Sequence, residues 1–157
     1  MAKVLNYGMV GGGPDAFIGD AHRRAISLDE SARLVAGVFS RNAEKSKKMG
    51  EVLHIEEERC YKDYETMALE EAKREDGIDF VVVVTPNASH YEICKAFLNA
   101  GIHVVCDKPV TTTYEKAVEL QKLAEEKSLL FMVTYTYMGH VTAKYARDLI
   151  ASGAIGD

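Results

Sequence analysis

Five short apolar runs punctuate the chain, at Val4 to Val10, Leu34 to Phe39, Phe80 to Val84, Ile102 to Cys106 and Leu129 to Thr134. Each has the length of a buried strand and falls short of a buried helix. The clearest is DFVVVVT, whose four consecutive valines without alternation suit a strand covered on both faces. Helical patterns lie between the runs. One spans 63 to 75 from Asp63, and another spans 87 to 100, with Asn87 as N-cap after Pro86 and Gly101 past its end. TTYE has capping-box spacing with Thr112 as N-cap and Glu115 at the third helical position. A last pattern from 141 to 152 carries Val141, Tyr145, Leu149 and Ile150 on one side and stops at Gly153, and a short sixth strand is expected at Glu57 to Cys60.

Strands alternating with helices at this pitch predict a parallel sheet with right-handed crossovers. The expected fold is α/β, a three-layer doubly wound parallel sheet of the nucleotide-binding, Rossmann-like kind. In such a sheet, ligands lie outside the carboxyl ends of the strands. The residues leaving each apolar run are therefore the candidates for one crevice.

After the first run stand Gly11, Gly12 and Gly13. Gly11 and Gly13 match the first two glycines of G-x-G-x-x-G, where a tight turn brings backbone amides and a helix N-terminus to a pyrophosphate. Strict spacing puts Ala16 third. Gly19, three residues later, is preferred, because IGDAH reads as the start of a helix packed on the strand. After the second run come Ser40 and Arg41, with no carboxylate for a ribose 2′-hydroxyl. Arg41, with Ser40 and with Lys45 a turn further on, suits a 2′-phosphate, which puts NADP ahead of NAD and leaves both open. TPNASH follows the valine run and CDKP the next. Pro109 holds Lys108 extended at the sheet edge, and YTYMGH adds Tyr135, Tyr137 and His140.

Composition narrows the partners. The net charge of −5, without a basic tail or arginine-rich block, argues against nucleic acid and against a membrane surface. No apolar run reaches the ~18 residues of a membrane span, and no signal-peptide layout opens the chain, so a cytoplasmic protein is expected. Cys60, Cys94 and Cys106 lack metal-ligand spacing and read as reduced thiols. His103 lies in a strand, His54 in a polar stretch and His22 near the glycine turn, and no metal site is assigned.

TPNASHYEICKAFLNAGIHVVCDKP resembles the T-P-N-x-x-H…A-G-x-H-V-x-x-E-K-P stretch of the glucose–fructose oxidoreductase / inositol dehydrogenase (Gfo/Idh/MocA) family. The resemblance runs over essentially the whole chain. It implies NAD(P)-dependent oxidation or reduction of a hydroxyl on a sugar, cyclitol or related polyol. The loop from Gly11 to Gly19, with Phe17 and Ile18, would hold the pyrophosphate, and Ser40 and Arg41 would sit by the adenosine ribose. Thr85, Pro86, Asn87, His90 and Tyr135 would border the dinucleotide. Asp107 would stand near the nicotinamide ribose, and Lys108 at the reacting oxygen as the catalytic residue. The family's glutamate is Asp107 here, one methylene shorter.

The resemblance further implies that residues 1–153 form the NAD(P)-binding domain. Residues 154–157 would begin the link to a second α+β domain that carries an Asp-x-x-x-His acid/base pair and the homo-oligomer surface. On that expectation the cofactor half alone turns over poorly, since hydride transfer needs both walls of a dry site. Two other readings remain: a non-catalytic dinucleotide-binding regulatory module, and a domain for another phosphate ligand such as coenzyme A. The lysine of CDKP favours the enzyme.

Overall fold

The computed structural model describes residues 3–14 and 16–156. Five strands, β1 (Leu5–Gly11), β2 (Ala32–Val38), β3 (Phe80–Val84), β4 (His103–Cys106) and β5 (Phe131–Val133), form one parallel sheet in the order β2-β1-β3-β4-β5. The order reverses between β1 and β3, so the crevice above their carboxyl ends is the switch point where a doubly wound sheet takes its ligand.

The helices are α1 (Phe17–Ser27), α2 (Ala43–Val52), α3 (Tyr64–Glu71), α4 (His90–Asn99), α5 (Tyr114–Glu126) and α6 (Val141–Ala151). The valine run shows why both faces had to be covered. Val81 and Val83 pack with Met67 of α3, Phe97 and Leu98 of α4 and Leu120 of α5. Val82 and Val84, pointing the other way, pack with Tyr7, Met9, Phe39 and Met49, against which Ile18 and Ile26 of α1 lie. Period-two alternation thus distributes one apolar run between two cores.

Several boundaries differ from the sequence expectation, each for a local reason. Thr113, not Thr112, caps α5, its hydroxyl accepting from the Lys116 amide. Buried Thr111 donates to the Thr113 carbonyl at 2.7 Å and holds Thr112 outside the helix. Asn87 begins a 3₁₀ turn closed by the Ser89 amide on the Pro86 carbonyl, and regular helix starts only at His90. Asp63 caps α3 as expected, accepting from the Thr66 amide at 2.7 Å, but α3 ends at Glu71. The expected sixth strand is a 3₁₀ turn at Glu57–Arg59, after which Cys60 makes a single parallel bridge to Gly37.

The reason lies in Arg59. Its guanidinium is buried on the Glu71 carboxylate, with Nε to Oε1 at 3.0 Å, and Tyr61 donates to the same oxygen at 2.8 Å. This pair pins the segment before α3 to the last residue of that helix. Burial, then Glu71, pushes the Tyr61 hydroxyl far above its ordinary range.

The three cysteines are free, with Cys94 and Cys106 buried. No helix among the described residues is long and apolar enough to cross a membrane. α6 is helical where expected and ends at Ala151, with Gly153 at φ +72° two residues on, but none of its residues is buried. Its expected apolar side is therefore open here, with Val141, Tyr145 and Ile150 exposed.

Candidate functional site

β1 ends in a left-handed turn, with φ of +95° at Gly11 and +71° at Gly12. A side chain on Gly11 would place its β-carbon 2.7 Å from the Val84 carbonyl oxygen, and one on Gly13 2.6 Å from that of Phe39. Only glycine lets the chain cross so near β3 and β2. Gly19, in the first turn of α1, lies against Gly12, so any β-carbon there would run into the Gly12 α-carbon. That contact explains the late glycine: five residues from Gly12 to Ala16 bridge strand and helix, and Gly19 takes the helix-packing position. Arg23 of α1 reaches beneath the turn and donates to the Gly12 carbonyl at 3.1 Å.

Above this turn opens a groove of about 850 Å³, lined by Gly11, Gly12, Gly13, Ser40, Arg41, Thr85 and Pro86 among the expected residues. Val10, Val38, Val84 and Ile93 supply apolar walls. Sequence reading missed Lys62, Asp63, Tyr64 and Glu65, which close the side beyond β2 together with Lys45. No local signal marks them: Cys60 bridges Gly37 of β2, and that tertiary contact brings the chain after it to the groove. Asp63 spends one oxygen on capping α3, and that bond to Thr66 holds its carboxyl below the usual range.

The other expected residues stand outside the groove lining. Phe17 is exposed at the start of α1 and Ile18 packs against the core beside it. Asn87 is exposed on the 3₁₀ turn. His90 is buried, with its ring nitrogens on the Thr85 and Pro109 carbonyls. Tyr135 is exposed past β5, and Lys108 is exposed past β4, joined to Pro109 by a cis peptide.

Asp107 follows β4, its amide donating to the Val83 carbonyl at 2.9 Å and its carboxylate accepting from Thr134 Oγ1 at 3.0 Å. His22 of α1 stands 3.9 Å from the same carboxylate. Burial lowers the His22 pKa, and Asp107 works against that. The turn after β1, the carboxylate after β4 and the hydroxyl after β5 thus meet through α1 on one sheet edge. His103 is half-buried and accepts the Leu130 amide at Nδ1, and His54 is exposed.

Residues 5–135 match the profile of the GFO_IDH_MocA oxidoreductase family, NAD-binding Rossmann fold. A curated but uncharacterized oxidoreductase of Bacillus subtilis, YfiI, is 45% identical over 158 residues, a match covering 100% of this chain and 40% of that protein. Two crystal structures of an inositol dehydrogenase homologue from Azotobacter vinelandii are similar at TM-score 0.94 and 42% identity. One is complexed with NAD+ and the other with NADH and myo-inositol. Each covers 100% of this chain, which spans 40% and 41% of theirs. The chain thus corresponds to about two fifths of the length of these relatives, and that portion carries the sheet, the glycine turn and the groove: it belongs to the Gfo/Idh/MocA oxidoreductase family and forms its NAD-binding Rossmann fold.

Proposed function

We propose that this chain is the dinucleotide-binding part of an enzyme that moves hydride to or from a hydroxyl-bearing carbon of a sugar, cyclitol or related polyol. One observation carries the reading. The glycine turn leaving β1 and Lys108 leaving β4 open on the same edge of one parallel sheet. The myo-inositol bound by the Azotobacter relative supports the polyol class.

The groove suits a dinucleotide. Its volume lies in the range of small-molecule sites, and the glycines leave backbone exposed where side chains would collide. A bound dinucleotide supplies the hydride carrier. Gly11 to Gly13 and the first turn of α1 present amides and a positive dipole end to a pyrophosphate. Lys108 presents an ammonium to the reacting oxygen, where a cation stabilises alkoxide charge as it develops. Asp107, steadied by Thr134, faces the ribose side of that reaction.

For the adenosine end we propose a preference for NADP over NAD. Ser40, Arg41, Lys45 and Lys62 line the wall beyond β2 beside Asp63 and Glu65; no carboxylate directly follows β2, and one oxygen of Asp63 is taken by its cap. Calorimetric titration of the chain with NADP+, NAD+ and coenzyme A tests this, with NADP+ expected to bind tightest. Arg41→Ala should weaken NADP+ by about tenfold and leave NAD+ within about twofold. Equal losses would reject the 2′-phosphate contact, and tightest binding of coenzyme A would reject the dinucleotide. In the full-length protein, Lys108→Ala should lower kcat at least about a hundredfold with cofactor Kd little changed, and unchanged turnover would remove Lys108 from the chemistry.

A further inference from the structure

We infer that His90 is a doubly protonated staple joining the turns that follow β3 and β4, and that through this staple it acts as a positioning residue for Lys108. The second half of the inference rests on the role proposed for Lys108.

The ring is 1% exposed, and Nδ1 lies 2.8 Å from the Pro109 carbonyl oxygen while Nε2 lies 2.8 Å from that of Thr85. A carbonyl oxygen only accepts, and neutral imidazole has one N–H. In either neutral tautomer a ring lone pair would face a carbonyl lone pair at hydrogen-bond distance. Imidazolium satisfies both contacts at once, and each becomes a charge-assisted bond.

The partners give the charge its meaning. Thr85 lines the groove, and Pro109 immediately follows Lys108. The sheet itself does not tie these two turns together so far out. The last β3–β4 ladder pair is Val83 with Cys106, and beyond it the Asp107 amide reaches only the Val83 carbonyl. Past that point, His90 at the start of α4 bridges them.

The titratable groups packed around the ring agree with its charge. Burial by itself lowers the His90 pKa, but the Cys106 sulfur of β4 and the two carbonyls outweigh it and hold the pKa up at about 9. Cys106 is drawn below the usual thiol range, first by Cys94 of α4 and then by His90. Cys94 is raised by the same hydrogen bond to Cys106. Asp107, just past β4, acts on Cys106; its carboxylate accepts from Thr134, and His22 stands 3.9 Å from it.

Nitrogen-15 NMR of the native chain, uniformly labelled with carbon-13 and nitrogen-15, reads the ring directly, with no dinucleotide present. Near neutral pH both His90 nitrogens should carry protons, and one should be lost only well above the ordinary histidine range. Through-bond correlation from the backbone assigns the signals without a variant. A bare ring nitrogen at neutral pH would overturn the staple. Carbon-13 detection on the same sample follows the Thr85 and Pro109 carbonyls and the Lys108 α-carbon. All three should shift with the midpoint of the ring. Carbonyls that follow the ring beside a Lys108 α-carbon that does not would overturn the positioning role. Neither readout uses turnover or cofactor, so failure of the staple is distinguishable from failure of the Lys108 assignment, which the kinetic experiment tests.

Discussion

The two flanks of the sheet are built to different standards. Beyond β2, the wall of the groove rests on a buried ion pair: Arg59 is 3% exposed and Glu71 2%, with Tyr61 closing the network. Beyond β4, Leu130 and Met132 on the β5 side, Tyr137, and Val141, Tyr145 and Ile150 on α6 are all exposed. The first flank completes its share of the groove from residues of this chain. The second offers Lys108 and Asp107 on an edge that its neighbours leave open. Under the proposed function, the contrast would divide binding from chemistry. A finished cradle stands on one side, and a lysine held out by its turn stands on the other.

The sharpest way to break that contrast is Glu71→Ala. It leaves Arg59 buried without its main partner, and the expected loss is about 3–5 kcal/mol in urea unfolding. A loss below about 1 kcal/mol would mean that the β2 flank does not depend on the pair. Gly19→Ala is expected to cost about 1–3 kcal/mol, because helix α1 must retreat from Gly12 to admit a methyl group. It should also weaken whichever dinucleotide binds by at least about tenfold. Retained affinity with lowered stability would show that the turn tolerates a shifted helix.

Ser46→Ala probes the same flank more gently. The Ser46 hydroxyl accepts the Phe39 amide at 2.9 Å in a buried setting, so its removal should cost about 1–3 kcal/mol. Tyr145→Ser and Ile150→Ser on α6 should change the melting behaviour of the chain by no more than about 0.5 kcal/mol. A larger effect would show that α6 is packed in solution and would erase the difference between the flanks.

Much of this was legible beforehand. The valine run, the glycine turn before a helix and the strand-ending prolines each act through near neighbours, and local rules read them. Gly19 was legible too, because helix-packing glycines follow from chain geometry. Thr113 was not, since its selection over Thr112 depends on the hydroxyl of Thr111 being buried. Arg59 sits in an acidic stretch, EEERC, where every local rule points to solvent. Its burial comes from Glu71, twelve residues on. Lys62 and Tyr64 reached the groove only because Cys60 bridges β2. His90 was expected to border a dinucleotide, whereas the structure turns its ring inward to two carbonyls.

The sequence by itself determined the parallel α/β order, the sheet edge at which the glycine turn and Lys108 leave their strands, and the identity of the groups that leave each strand. These follow from apolar periodicity and from backbone limits at glycine and proline, both local in range. Only the tertiary structure decided which polar groups spend their hydrogen bonds inside the molecule and which remain for a ligand. Arg59 and His90 are committed within the fold, while Arg41 and Lys108 stand exposed at its edge. That choice depends on partners distant in sequence, because a buried polar group persists only where the folded chain brings it a complementary one.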